Sequence, residues 1–175
     1  SGATIIGYGF DTSKIVKNVV GQSIFRSVAG GMANLILKDL SINSGAGSVF
    51  ALADSDGSHA IEFNDVNFEN CTSLGTLNGF RQFTGTTCGF YGCSDGFTLE
   101  GTWNGFKITN SNVIGFGASG TFVKKGASTS FNNRMYLDLN MSIATGSKIC
   151  DFQESNFTSN KLLQVVNNLV KDNGI

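Results

Sequence analysis

The octapeptide LILKDLSI at residues 35–42 has the same pattern as IEFNDVNF at residues 61–68. Each reads apolar, any residue, apolar, any residue, Asp, apolar, polar, apolar. The same frame fits FKITNSNV at residues 106–113 and CDFQESNF at residues 150–157, with Asn or Glu in place of the Asp. Alternation with a period of two is typical of a strand that buries one face. Because one such strand cannot bury that face alone, recurring copies are expected to stack on one another.

Two sets of residues recur with the same period. The fifth position of the frame falls at Asp39, Asp65, Gly85, Asn110, Asn133 and Glu154, and a second, apolar set falls at Phe25, Phe50, Leu74, Phe97, Phe122, Ile143 and Val165; both recur about every 23 residues. A shared period predicts a solenoid, in which each strand pairs in parallel with its copy ~4.8 Å away. We therefore expect an all-β fold, a right-handed single-stranded parallel β-helix of about seven coils. A β-sandwich or a propeller is the alternative.

The frame also assigns residues to positions within each coil. Its fifth position interrupts the alternation, which predicts a bend. One column is expected to point inward: Leu37, Phe63, Phe83, Ile108, Phe131 and Phe152. A polar column is expected to form a ladder of hydrogen bonds or to face outward: Ser41, Asn67, Thr87, Asn112 and Asn156. Residues 159–173 fit either a helix or a last strand, and the position of Val165 in the apolar column favours the strand.

Length and composition limit the classes of protein. The 175 residues fit one domain, residues 1–175, and the start at Ser1-Gly2 without Met predicts a fragment of a longer chain. With 41% hydrophobic residues, the chain is not expected to be disordered. The complete absence of proline suits a backbone that mostly donates into sheet ladders.

Charge and cysteine content exclude further classes. The net charge of −1 predicts no nucleic-acid partner, and no apolar run is long enough to predict membrane insertion. Four cysteines, at 71, 88, 93 and 150, beside a single histidine predict buried thiols, with a Cys88–Cys93 bridge left open. No cofactor or metal is expected.

A few residues are candidates for glycan chemistry. A glycosidase needs two carboxylates ~5 to 9.5 Å apart, and Asp54 and Glu100 are expected to leave the solenoid on one side, two coils apart. These two are the weak candidates for a catalytic pair. Asp56, His59 and Trp103 are expected close by as binding residues, with the Trp103 ring stacking on a sugar. The Asp-x-Asp-Gly sequence at residues 54–57 lacks the further acidic residues of an EF-hand, so a solvated turn is the preferred interpretation.

The opening residues TIIGYGFDTSKIV, at 4–16, followed by NLILKDLSI, at 34–42, resemble the first coils of pectate-lyase-like β-helix proteins. The resemblance covers about residues 4–157, and the matching motifs are structural. Within that superfamily, the Phe- and Gly-rich, proline-free character most resembles bacteriophage tailspike and tail-fibre domains. Such a resemblance implies a homotrimer on a virion, or an extracellular protein, that binds a host-surface polysaccharide.

Two functions follow as hypotheses. The first is a non-enzymatic structural and adhesion module, a segment of a tailspike or virion fibre that binds host-surface glycan. The alternative is a polysaccharide lyase or glycoside hydrolase of the same superfamily. Whether the protein is an enzyme is left open by its sequence, which has no convergent catalytic set.

Overall fold

The chain folds into a parallel β-solenoid. The computed structural model describes residues 2–27, 31, 33–157 and 163–171. Within these residues the coils stack in parallel for about six turns, close to the expected seven. The predicted parallel β-helix is confirmed, and every strand pairing between named strands is parallel. No helix of the described residues has the length and apolar character needed to cross a membrane.

The strands belong to two sheets. In chain order they are β1 (Ala3–Ile6), β2 (Lys14–Val16), β3 (Ser23–Arg26), β4 (Leu35–Asn43), β5 (Gly45–Ala53), β6 (Ala60–Glu69), β7 (Cys71–Asn78), β8 (Gln82–Thr86), β9 (Gly89–Tyr91), β10 (Phe97–Trp103), β11 (Gly105–Phe116), β12 (Thr121–Phe131), β13 (Met135–Ile143), β14 (Lys148–Asp151) and β15 (Leu163–Lys171), with a 3-10 turn at Glu154–Asn156. Sheet A has the order β1-β4-β6-β8-β11-β13-β15, with β2 and β9 beside it. Sheet B has the order β14-β12-β10-β7-β5-β3.

Sheet A turns a corner where the repeat frame predicted a bend. Asp39, Asp65, Thr87 and Asn110 have φ angles of 54°, 53°, 55° and 51°. Asp and Asn tolerate this left-handed conformation better than most residues because their short polar side chains bond locally. The predicted bend is thus confirmed at Asp39, Asp65 and Asn110, and long strands such as β4 and β11 run through it.

The expected fifth position at Gly85 is wrong by two residues. Phe83 pairs with Ile61 and Phe106, which places Gly85 opposite Phe63 and Thr87 at the corner. Gly85 therefore takes the inward position expected for Phe83, between Phe63 and Ile108, and Phe83 lies instead in the neighbouring inward column with Ile61 and Phe106. Side-chain atoms of Ile108 and Phe83 lie 3.4 Å from where a Cβ on Gly85 would be and fill the space. The register could not be recognised from the pattern of apolar residues, because a glycine occupies one of the core positions.

The last two copies of the frame are also wrong. In place of the copy centred on Asn133, β13 continues sheet A, with Met135 opposite Phe106 and Leu137 opposite Ile108. The register shifts at the corner, so an eight-residue frame does not fit β13. The copy at residues 150–157 belongs to sheet B, where Cys150 pairs with Val123. Phe131 and Phe152 therefore leave the expected inward column, because alternation alone does not say which sheet a strand joins.

The second repeat set holds at Phe25, Phe50 and Phe97, which share one register of sheet B. Gly75 and Val123 occupy that register in place of Leu74 and Phe122. Ile143 and Val165 lie in sheet A instead, in β13 and β15. The preference for a last strand over a helix is confirmed by β15, and residues 159–162 and 172–173 of that tail lie outside the described residues.

The polar column is confirmed in part. Ser41, Asn67 and Asn112 share one register, which Gly89 and Asn140 complete in place of Thr87 and Asn156. Asn140 Nδ2 donates to Asn112 Oδ1 at 3.3 Å, as expected for a ladder. Asn156 lies elsewhere, and its Nδ2 donates to the carbonyl oxygen of Thr129.

The interior is built mainly from phenylalanine. Phe50, Phe97 and Phe122 are at most 1% exposed, so the expected shared interior is confirmed. Phe97 has the rings of five other phenylalanines within 6.3 Å of its own, centroid to centroid: Phe50, Phe83, Phe90, Phe106 and Phe122. Full burial of a Phe side chain contributes about 1.5–3 kcal/mol, so this cluster is a main source of stability.

The four cysteines are free thiols, and no Cys88–Cys93 bridge forms. Cys71, Cys88 and Cys93 are buried, as predicted, whereas Cys150 is only partly buried. Burial raises the pKa of Cys88 to about 12, and it also raises the pKa of Cys150 to about 12. A hydrogen bond with the Cys93 thiol lowers the pKa of Cys71, and the same bond raises the pKa of Cys93. These thiols therefore act mainly as small apolar side chains.

Candidate functional site

The loop after β5 brings three of the predicted residues together. Asp54 directly follows β5, and Gly57, with a φ of 68°, turns the chain back towards β6. The Asp54 side chain is 1% exposed and accepts hydrogen bonds from the backbone N–H groups of Asp56 (3.3 Å) and His59 (2.8 Å). The buried carboxylate is therefore used to fix the turn.

His59 completes this hydrogen-bonded turn. Its Nδ1 lies 3.0 Å from Asp54 Oδ1 and 3.4 Å from Asp56 Oδ1. Ser58 Oγ donates to Asp56 Oδ1 at 2.6 Å, which lowers the pKa of Asp56. Ser58 Oγ also approaches His59 Nδ1, at 3.4 Å, so the hydroxyl and Asp54 share one ring nitrogen. A Ser-His-Asp triad needs both ring nitrogens, and this arrangement does not provide one.

The same three side chains resemble part of a cation site. Asp54, Asp56 and His59 each offer a ligand atom, and these atoms lie within 4.8 Å of one another. Carboxylate oxygens and imidazole nitrogen are donors that zinc uses in proteins. Hydrogen bonds within the turn already engage all three groups, so the loop is held together by its own contacts.

Glu100 and Asp54 have the expected spacing but not the expected freedom. Ala53, Asn78 and Glu100 stack in one register, so Ala53 lies two coils, or about 9.6 Å along the axis, from Glu100. Asp54 is the residue that follows Ala53. The Glu100 side chain packs over Gly126 of the following coil, on the side away from Asp54. Because Asp54 is also buried, the two carboxylates do not face a shared cleft.

Trp103 does not form part of a sugar platform. Its side chain is fully buried, and its Nε1–H donates to the carbonyl oxygen of Glu100 at 2.8 Å. Its ring contacts Phe80 and Phe106 in the core. The expectation of a stacking ring is corrected here: the single tryptophan packs where β10 ends, and it has no exposed face.

A groove on the outer face of sheet A was not predicted. It has a volume of about 520 Å³ and crosses β8, β11 and β13. Strand register forms it directly, since Lys107 of β11 lies between Thr84 of β8 and Tyr136 of β13. In the neighbouring outward column, Gly105 lies opposite Gln82. Gly105 is also next to Arg134, because the N–H of Phe106 donates a hydrogen bond to the carbonyl oxygen of Arg134. We call this site the outer groove.

Gly105 produces the recess at the centre of the outer groove. A Cβ at Gly105 would meet only the carbonyl oxygen of Arg134, at 3.8 Å, so the space above it is open. Side chains of two kinds surround this recess. Three are amides, from Gln82, Asn104 and Asn133. The other three are longer side chains, namely two cations and one half-buried aromatic ring, from Lys107, Arg134 and Tyr136. Amides, cations and one aromatic ring are groups that bind sugars through hydroxyl hydrogen bonds and C–H contacts.

The signal for this groove was present in the sequence but needed the correct register. Outward positions of a strand alternate with the inward ones, so Lys107 was assigned outward by the repeat frame. Tyr136 was not, because the copy centred on Asn133 missed β13. With Met135 aligned to Phe106, Lys107 and Tyr136 become neighbours.

Comparisons with family models, with curated proteins and with solved structures found no match to this chain. The fold therefore rests on the structure alone, and the function rests on the geometry of the site.

Proposed function

We propose that this chain is a non-enzymatic structural and adhesion module, a segment of a bacteriophage tailspike or virion fibre that binds host-surface glycan at the outer groove. The observation that carries the proposal is the groove itself, in which Tyr136 and three amide side chains surround an open recess. Strands β8, β11 and β13 hold Gln82, Lys107 and Tyr136 in fixed register, so these lining residues need little ordering on binding. The resemblance of the motifs at residues 4–16 and 34–42 to pectate-lyase-like proteins supports the same class.

The geometry gives less support to a lyase or hydrolase. Asp54 is buried and hydrogen-bonded through both carboxylate oxygens, and Glu100 leans away from it. A general acid and base must reach the proton that they transfer, and this pair has no common cleft. Adhesion without cleavage therefore remains the preferred function.

Replacement of Tyr136 with Ala is expected to weaken glycan binding about tenfold or more, a loss of about 1.4 kcal/mol, because the sugar loses its contact with the aromatic ring. Binding would be measured on a panel of neutral and acidic oligosaccharides by calorimetry. Tyr8→Ala is the matched control, since Tyr8 is 97% exposed on the first coil and lies outside the groove. A panel that yields no ligand for the wild-type chain, or equal loss in both variants, contradicts the proposal.

Substitutions at Gly105 locate the binding to the groove. Gly105→Leu is expected to fill the recess and abolish binding, while Gly105→Ala should preserve most of it. The backbone at Gly105 does not have a positive φ, and a Cβ there makes only ordinary contact. Both variants should therefore fold like the wild type, as circular dichroism would check. Undiminished binding by Gly105→Leu would place the glycan site elsewhere.

We propose a homotrimer as the assembled state. The first coil exposes several apolar side chains that contact between copies would cover, among them Ile6 (62% exposed), Val16 (62%) and Val20 (80%). Size-exclusion chromatography with light scattering is expected to give three times the chain mass of 18.5 kDa. A strictly monomeric species at micromolar concentration would contradict the trimer.

A further inference from the structure

The outer groove carries two cations that no described acid neutralises. Lys107 and Arg134 line it, and the lining contains no Asp or Glu. Within the described residues, neither cation forms an ion pair. Lys38, on the same outer face, instead lies 3.7 Å from Glu62, and Lys14 pairs with Glu69. Lys107 and Arg134 therefore bring two positive charges without an ion pair together in one groove, in a chain whose net charge is −1.

The two cations flank the recess, Lys107 from within β11 and Arg134 from the residue just before β13. Lys107 lies beside Tyr136 across the β11–β13 ladder, with strands about 4.8 Å apart. Arg134 directly precedes β13, and its carbonyl oxygen accepts a hydrogen bond from the N–H of Phe106, the residue after Gly105. Gly105, which has no side chain, lies beside Arg134 and two residues before Lys107. A group placed over Gly105 is therefore within reach of both cations.

We infer that the outer groove selects an acidic glycan, whose carboxylate or sulfate group binds over Gly105 between Lys107 and Arg134. This inference rests on the proposed function. A guanidinium offers paired N–H donors that match the oxygens of a carboxylate or a sulfate, and the ammonium of Lys107 adds a second charge. Tyr136 then contacts the sugar ring, and the amides of Gln82, Asn104 and Asn133 bond its hydroxyls.

A neutral glycan would not use this arrangement. Two unpaired cations at one site repel each other, and an anion between them removes that repulsion. A nucleic acid also carries anions, but it needs a row of cations along its backbone. The groove presents two, beside three amides that suit hydroxyl groups.

The test compares three defined oligosaccharides by calorimetry at low and high salt: oligogalacturonate for carboxylate, sulfated dextran for sulfate, and unmodified dextran as the neutral probe. At least one acidic probe is expected to bind, with affinity that falls as salt is added. Lys107→Gln and Arg134→Gln should each weaken that binding about tenfold or more, since a hydrogen bond to a charged group is worth about 1.5–3 kcal/mol. Lys148→Gln is the matched control, because it removes the same charge from β14 of sheet B.

The possible results separate this inference from the proposed function. Binding of dextran that depends on Tyr136 but not on Lys107 or Arg134 would overturn the acidic preference and leave glycan adhesion intact. Equal losses in Lys148→Gln and Lys107→Gln would mean non-specific attraction and would also overturn it. Single-stranded DNA serves as a fourth probe, and tighter binding of it than of any glycan would overturn both, as would no binding of any probe.

Discussion

Replacement of Gly75 with Ala is expected to destabilise the solenoid by about 4 kcal/mol, from a steric clash of about 1–3 kcal/mol and a backbone penalty of about 1–2 kcal/mol. Gly75 lies directly opposite Phe50 in sheet B, with a φ of 96°. A Cβ there would approach the Phe50 carbonyl oxygen to 1.9 Å, which requires the backbone of a neighbouring coil to move. Domains of this kind are stable by about 5–15 kcal/mol, so the loss is large.

A second glycine separates the clash from the backbone penalty. Gly21 also has a positive φ, of 69°, but a Cβ there would have no heavy atom within 4 Å. Gly21→Ala should therefore cost only about 1–2 kcal/mol, the penalty of a left-handed residue. Urea unfolding followed by circular dichroism compares the two variants. If Gly75→Ala unfolds at the same urea concentration as Gly21→Ala, then β5 and β7 do not pack as described.

Replacement of Phe97 with Ala is expected to destabilise the protein by about 3–5 kcal/mol, the cost of emptying a buried aromatic site. Phe97 is fully buried, and its ring lies among those of five other phenylalanines. Neighbouring side chains are held in register by parallel ladders on both sides, so the cavity cannot collapse easily. Urea unfolding again gives the measurement.

Phe10→Ala is the matched control for this core prediction. Phe10 is 43% exposed, and it lies between β1 and β2 on the first coil. Its loss should cost only about 1 kcal/mol, because nearly half of the residue is already exposed and its removal leaves no enclosed cavity. A Phe97→Ala protein as stable as Phe10→Ala would show that the phenylalanine cluster is not the centre of the core.

The fold was predictable from sequence wherever strands carried a full set of apolar residues. Leu35, Ile61 and Phe106 start copies that do pair in register, and Asp39, Asp65 and Asn110 do form the corner. Prediction failed where a glycine took a core position, as at Gly85. It failed again in β13, which has one residue fewer at the corner. Neither the glycine in the core nor the missing residue at the corner can be recognised from the pattern of apolar and polar side chains.

The candidate site was harder to predict than the fold. Trp103 illustrates the reason, because an indole suits a sugar platform and a core equally well, and only packing distinguishes them. Asp54 was expected to be an exposed carboxylate, yet it is buried and fixes its own turn. The outer groove combines residues from three coils, so it emerges only when the register of β8, β11 and β13 is correct.

The central claim is that neighbouring strands run in parallel, with equivalent residues stacked from coil to coil. Nuclear Overhauser contacts between backbone protons test this most directly in an isotope-labelled sample. We expect amide-to-Hα contacts that link Ile108 with the strand segments around Gly85 and Leu137, which flank it in sheet A. Strong Hα-to-Hα contacts between directly opposed residues, the pattern of antiparallel strands, would contradict the solenoid and the outer groove with it.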